Sequence, residues 1–255
     1  MRTVLKYPGA KNRLAKWICG YIPQHDVYLE PYFGGGAIFF NKEPCRIETI
    51  NDLDGNVVNF FKVLRDNQAE LIRGLKLTPY AREEYEAAFN DEGDNDVERA
   101  RKFCVRCWQG FGCSNVYRNG FRSSQQSTSP DTTKIWDELL TTLEWAAFRI
   151  KDAQIECLDA LELIGRYDTK DVFIYADPPY LTTVRKQYLY KHEMTEEEHI
   201  AMLEKLLAHP GKVMISGYES ELYEEYLKGW NKACKDTQAE FGLKRKEVLW
   251  MNYRL

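Results

Sequence analysis

The chain has 255 residues, enough for one large α/β domain or for a domain carrying an inserted lobe. Hydrophobic residues make up 44% and charged residues 29%, an ordinary globular balance, and no run is apolar enough to span a bilayer. The formal charge of −4 excludes a globally basic nucleic-acid binder, so any phosphate-binding surface must be local.

The opening residues, Met1 to Gly9, hold no apolar core of signal-peptide length, which predicts a cytoplasmic protein. Lys6-Tyr-Pro-Gly-Ala-Lys11 forms a turn ahead of a helix over residues 12–21, with Leu14, Trp17, Ile18 and Tyr21 on one face. Its glycine lets backbone approach a small ligand, with Lys11 meeting a carboxylate; a plain N-terminal turn accounts for the segment equally well. Val27-Tyr-Leu-Glu30 is a short strand. It is followed by Pro31-Tyr-Phe-Gly-Gly-Gly-Ala37 and the apolar start of a helix. Three consecutive glycines allow φ > 0 and close backbone approach. They match neither the spaced dinucleotide fingerprint nor a P-loop, so a cofactor without a pyrophosphate fits better. Glu30 at the strand end offers an acceptor for an ammonium group. The next strand, Ile47 to Asn51, ends at Asp52, where doubly wound folds hold a ribose hydroxyl pair. Asp54 is the reserve for that role, and the same segment also reads as a turn capping a helix.

From about residue 60 to 150 the composition changes. Residues 99–130 contain no Asp or Glu but carry Arg99, Arg101, Lys102, Arg106, Arg118 and Arg122, interleaved with Phe103, Trp108, Phe111, Tyr117 and Phe121. In a net acidic chain this is a footprint for phosphate, with aromatic rings available to wedge or stack. The expectation is Phe103 and Trp108 inside a small helical core, with Arg118, Asn119 and Arg122 outside on a loop. Asn115, Arg118, Asn119 and Arg122 are candidates for base readout, because Arg suits guanine and Asn suits adenine. Arg106 belongs to the same basic surface. Seven cysteines make no disulfide framework in a chain this long. Cys104 and Cys107, with Cys113 nearby, lack the further ligands a zinc site needs, so no metal is predicted. The four histidines read as surface or capping residues, with His192 an outside candidate for a phosphate contact.

After this insert, residues 154–159 form another parallel strand whose terminal Asp159 points toward the cofactor edge. Asp171-Val-Phe-Ile-Tyr-Ala-Asp-Pro-Pro-Tyr180 then gives an apolar strand over Val172 to Ala176 and an abrupt stop. Two prolines cannot continue a ladder, since each lacks an N–H and has φ fixed near −65°. A carboxylate, a rigid carbonyl and an aromatic ring therefore leave the sheet in fixed relation, at the strand end where open α/β sheets bind ligands. That arrangement suits a planar ring bearing an exocyclic amine. A polar, basic and aromatic loop follows, with Arg185 and Lys186, and Thr195-Glu-Glu-Glu198 opens a helix as a capping box. Lys212 to Gly217 is a strand and residues 218–227 a helix. Residues 230–238 and 244–253 form two closing strands.

In this order, Lys6-Tyr-Pro-Gly-Ala-Lys11, Glu30-Pro-Tyr-Phe-Gly-Gly-Gly36, Asp52, an insert and Asp177-Pro-Pro-Tyr180 resemble the Dam-like, D12 class DNA adenine-N6 methyltransferases in their alpha arrangement. Ile215-Ser-Gly-Tyr218 and Glu247 to Tyr253 are similar to that family's closing segments, and Ala10 departs from it where a second glycine is common. The resemblance implies an α/β, Rossmann-like S-adenosylmethionine-dependent methyltransferase sheet, mostly parallel with an antiparallel closing strand. Residues 1–60 and 150–255 would form it, and 61–149 would be an inserted, mainly helical target-recognition lobe. It implies cofactor contacts from Tyr7, Lys11, Glu30, Pro31, Phe33, Gly34, Gly35, Gly36, Asp52, Asp159 and Asp177. Asp177, Pro178, Pro179 and Tyr180 would hold a flipped-out adenine, and Arg106, Asn115, Arg118, Asn119, Arg122, Arg185 and Lys186 would meet double-stranded DNA. A bacterial or phage enzyme, of the kind met in restriction–modification and with no obligatory protein partner, is the expectation. The alternatives are a cytosine-N4 methyltransferase, an RNA or protein-amide methyltransferase, a catalytically silent DNA-binding module and an NAD-type dehydrogenase.

Overall fold

Side-chain alternation along β4 (Val172–Ala176) sets the layers. Val172, Ile174 and Ala176 pack into one apolar cluster, Phe173 and Tyr175 into another, and the strand is buried on both faces. The computed structural model describes residues 3–112, 118–181, 190–238 and 244–254. Around β4 lie β1 (Val27–Glu30), β2 (Ile47–Asn51), β3 (Gln154–Glu156), β5 (Lys212–Tyr218), β6 (Asn231–Gln238) and β7 (Lys244–Met251), in the order β3-β2-β1-β4-β5-β7-β6. The first five strands pair in parallel, while β7 runs antiparallel to both β5 and β6.

Helices cover both faces of the sheet. Leu163 and Ile164 of α7 (Ala160–Arg166), Met202, Leu203 and Leu206 of α8 (Glu196–Leu207) and Tyr223 of α9 (Glu221–Tyr226) pack on one side. The other side carries α1 (Ala15–Cys19), α2 (Gly55–Asp66), α3 (Gln68–Leu77), α5 (Asp96–Gln109) and α6 (Thr132–Ile150). A short α4 (Arg82–Ala87) lies against α5. The capping box at Thr195 forms as expected, with Thr195 Oγ1 accepting from the Glu198 N–H and the Glu198 carboxylate accepting from the Thr195 N–H.

Two expectations need correction. The apolar residues after the glycines are not a helix but successive turns over residues 37–41, because Phe40 and Lys42 bond back to Gly36 and Ile38 without continuing. His199 is buried, not a surface residue, and meets the Tyr223 hydroxyl at 2.9 Å. His209, though buried as well, does cap the turn after α8, its Nδ1 accepting from the Gly211 N–H at 3.0 Å. Phe60 and Phe61 are buried within α2, which turns into α3 at Asn67. Helices α3, α5 and α6 share one core with the sheet. Trp108 Nε1 donates to the Val4 carbonyl at 3.1 Å, and Arg149 in α6 reaches Glu48 on β2. Phe103 and Trp108 are inside, as composition predicts.

Candidate active site

The strand break at Asp177 throws its carboxylate past the sheet edge, where other chains meet it. Asp177 Oδ1 accepts from Ser216 Oγ at 2.9 Å, and Ser216 lies 2.9 Å from the Tyr175 hydroxyl. The Lys11 ammonium stands 2.8 Å from Asp177 Oδ2 and donates to the Gly9 carbonyl at 2.9 Å. It lies 4.6 Å from the centre of the Tyr180 ring. Burial works against this ammonium, yet Asp177 and Glu247 outweigh it and hold Lys11 above its usual pKa. Tyr180 donates its phenol proton to Glu247 Oε1 at 2.5 Å, and its ring meets Tyr218 edge-on at 4.6 Å.

The glycine turn lies beside this group and is braced by Asp52. Asp52 Oδ2 accepts from the Gly34 N–H at 2.7 Å and Oδ1 from the Asp54 N–H at 2.8 Å; burial pushes its carboxyl up to about 6. Asp54 serves as the N-cap of α2 and receives the Tyr7 hydroxyl at 3.4 Å. Gly36 adopts φ +69°, and a Cβ there would sit 2.5 Å from the Phe33 ring and 2.7 Å from Phe40, so no other residue fits. Glu30 is buried at the end of β1 and accepts from the Tyr28 hydroxyl at 2.7 Å. Burial pushes its carboxyl up to about 8. Asp159 N-caps α7 through one oxygen, accepting from the Leu161 and Glu162 N–H groups. Tyr7, Glu30, Gly34, Asp52 and Asp159, with Pro31, Phe33 and Gly35, line a cleft of about 1070 Å³, open mouth included; Gly36 shapes the turn but is not among the lining residues.

The basic residues of the insert divide. Arg106 is turned inward, donating to the Ala88 carbonyl at 2.9 Å between the rings of Phe89 and Phe103; burial lowers its pKa. Arg122 is partly buried and donates to the Gly110 carbonyl at 3.2 Å, so its side chain braces the Gly110–Phe121 bridge where an exposed loop residue was expected. Arg118 is exposed and lies 3.4 Å from Glu86. The Asn119 carbonyl accepts from the Tyr85 hydroxyl, which fixes the loop to α4. Asn115, Arg185 and Lys186 lie outside the described residues, as does Cys113. Cys104 and Cys107 are buried in α5, and no group of three potential metal ligands occurs among the described residues.

The sequence model of the D12 class N6 adenine-specific DNA methyltransferases matches residues 7–242. The chain belongs to this family. A Type II methyltransferase of Lactococcus lactis subsp. cremoris, M1.LlaDCHI, is 27% identical, the match covering 91% of this chain and 86% of that protein. A DNA N-6-adenine-methyltransferase of Escherichia phage P1 is also 27% identical, over 70% of this chain but only 24% of its own length. A DNA adenine methylase of Vibrio cholerae is 24% identical, over 70% of this chain and 65% of the relative.

As a D12 methyltransferase the chain is an enzyme that methylates adenine N6 in DNA with S-adenosylmethionine, which sets the cytosine-N4, RNA, protein-amide and dehydrogenase readings aside. The cleft fits that cofactor. Its wall carries Glu30, Asp52 and Asp159, while Lys11 is the only Lys or Arg among its described lining residues and is already paired with Asp177. A cationic sulfonium amino acid suits such an acidic wall, whereas a pyrophosphate would need donors or positive charge. No helix among the described residues is long and apolar enough to cross a membrane. Two residues at the site went unassigned in the sequence. Ser216 had a signal, a lone hydroxyl at the end of an apolar strand. Glu247 had one too: after Lys244-Arg-Lys246 it is the acid that opens an otherwise apolar run, Val248 to Met251.

Proposed function

We propose that Asp177, the Pro178 carbonyl and Tyr180 form the clamp for a target adenine flipped out of duplex DNA, with the Glu30 to Gly36 turn, Asp52 and Asp159 holding the methyl donor. The break of β4 at two prolines carries this reading, because it fixes an acceptor carboxylate, a carbonyl and a ring beside the acidic cleft. S-adenosylmethionine supplies a methyl already activated on sulfur, so the protein need not provide a strong acid or base. Adenine N6 is a poor nucleophile, because its lone pair is conjugated into the ring. Asp177 and the Pro178 carbonyl would accept its two N–H groups and favour the pyramidal nitrogen of the transition state. Tyr180 would cover the ring face, offsetting the few kcal/mol that unstacking the base costs. Ser216 keeps Asp177 in place by donating to its other oxygen.

The helical insert, residues 61–149, serves as the target-recognition lobe in this reading. Arg118 and Asn119 on their exposed loop, with Asn115 nearby in sequence, would meet the duplex, and Arg185 and Lys186 would approach it from the segment after the clamp. Arg106 and Arg122 act through the lobe's packing. The site of action is the cytoplasm of a bacterium or a phage-infected host, without an obligatory protein partner. Asp177→Ala tests the clamp: methyl transfer from radiolabelled donor to unmethylated DNA should vanish while donor binding persists. Retained turnover overturns the assignment.

A further inference from the structure

Glu247 has no part in the clamp as described, yet the clamp is built around it. It comes from β7, where it pairs in register with Tyr218 of β5 and Lys235 of β6, and it is 3% exposed. One of its oxygens, Oε1, takes the Tyr180 phenol proton at 2.5 Å and lies 3.9 Å from the Lys11 ammonium. The ring that would cover the base and the cation that sits on Asp177 are therefore both tied to one carboxylate from the far end of the chain.

Burying a carboxylate is unfavourable by several kcal/mol unless it is well paired. Burial pushes Glu247 up to about 7, against the pull of Lys11. A phenol tether alone does not explain the charge, because a neutral amide oxygen would accept the Tyr180 proton equally well. Lys11 does explain it. Its ammonium donates to Asp177 and lies over the Tyr180 ring, which is the position and the donor role assigned above to the adenine amine. The ammonium lies over the face of the Tyr180 ring on which the base would stack, so ammonium and base cannot share that space beside Asp177 Oδ2. When the amine takes that oxygen the ammonium has to move, and the adjacent carboxylate is Glu247.

We propose that Glu247 is a positioning residue for methyl transfer: it fixes the Tyr180 ring through the phenol and receives the Lys11 ammonium when the target amine replaces it on Asp177. The proposal rests on the clamp reading of Asp177 and Tyr180. In it Lys11 is a placeholder for the substrate amine, keeping the Asp177 carboxylate in position until the base arrives. Glu247 keeps the displaced charge inside the site without expelling it to water.

The test uses the full chain with unmethylated DNA and tritiated S-adenosylmethionine. Glu247→Gln keeps an acceptor for the phenol and removes the charge. It should lower kcat by about 10- to 100-fold, the scale of a misplaced reacting group, with donor Kd and thermal midpoint held within experimental spread. In a Lys11→Met background, where no ammonium needs a second home, adding Glu247→Gln should change kcat by less than about threefold, the non-additivity expected of residues acting as one unit. Glu247→Asp, which keeps the charge but withdraws it by one methylene, should show the same split between kcat and donor Kd if the amide fails to fold. Unchanged kcat in Glu247→Gln, losses that multiply in the double variant, or a parallel loss of donor binding would each overturn the proposal. Turnover retained by Asp177→Ala would instead sink the clamp itself. Inactive Asp177→Ala with normal Glu247→Gln sinks only the role of Glu247.

Discussion

Glu48 of β2 and Arg149 in the last turn of α6 form a two-pronged ion pair, Nη1 to Oε2 at 2.5 Å and Nη2 to Oε1 at 2.8 Å, which bolts α6 to the sheet. Arg149 also donates to the Phe39 carbonyl, and Lys42 completes the group on Glu48. Removing Arg149 leaves Glu48 with Lys42 on Oε1 and strips the donor from Oε2. Arg149→Ala should therefore destabilise the protein by about 1–3 kcal/mol in urea unfolding, the cost of a buried acceptor left without its donor. Burial alone would raise the Glu48 pKa, but Arg149 and Lys42 outweigh it and hold it below 4.5. Its stabilisation is therefore complete above pH 4.5 and lost as pH falls through the depressed value. An acid titration of Glu48→Gln should lack that loss.

Glu30 should make donor binding pH-dependent. Its carboxyl, pushed up to about 8 by burial, is mostly protonated at neutral pH, and a cationic amine beside it favours the ionised form. Binding then releases a proton at pH 6–7, measurable by calorimetry in buffers of different ionisation enthalpy. Glu30→Gln should abolish the release and weaken binding. For folding the sign is opposite to that of Glu48: the folded state holds this proton more tightly, so stability falls as pH rises from 4.5 through 8. The Gln variant should not show that fall.

Gly36→Ala should impair the cleft. The substitution places a methyl group 2.5 Å from the Phe33 ring at φ +69°, a strain of about 1–3 kcal/mol. Donor affinity should fall tenfold or more while circular dichroism keeps its native helix and strand signal.

The insert offers two separable tests on DNA binding. Arg118 is exposed and pairs with Glu86, so Arg118→Ala should reduce the slope of log K against log salt by about one if it contacts a phosphate. Phe111 is 64% exposed beside the Gly110–Phe121 bridge, which leaves its ring accessible to DNA. Phe111→Ala should weaken DNA binding by about 1–3 kcal/mol with the salt slope unchanged.

Local chemistry made most of the fold legible. The strands Val27–Glu30, Ile47–Asn51 and Val172–Ala176 stop at Pro31, Asp52 and Asp177, and these stop signals act on adjacent residues. The Thr195 cap is equally local. The turns after Gly36 were not legible, because Ile38, Phe39 and Phe40 carry a helix-like apolar run and tertiary packing around Phe33 decides their path. At the site, the clamp residues lie together in sequence and could be read. The contacts Lys11 to Asp177 and Tyr180 to Glu247 join residues far apart in the chain, and no periodicity encodes such pairings. Arg106 and Arg122 look like phosphate ligands in a string of letters; only the carbonyls and rings around them give them their packing role.

The antiparallel seat of β7 has a consequence for biosynthesis. It is the seventh strand in sequence but lies between β5 and β6, so β6 has no described strand partner until the ribosome has delivered β7. Glu247 travels on that strand. Tyr180 therefore cannot be seated against Glu247 until β7 itself has been synthesised, so the ring that the clamp depends on is among the last parts of the site to be fixed.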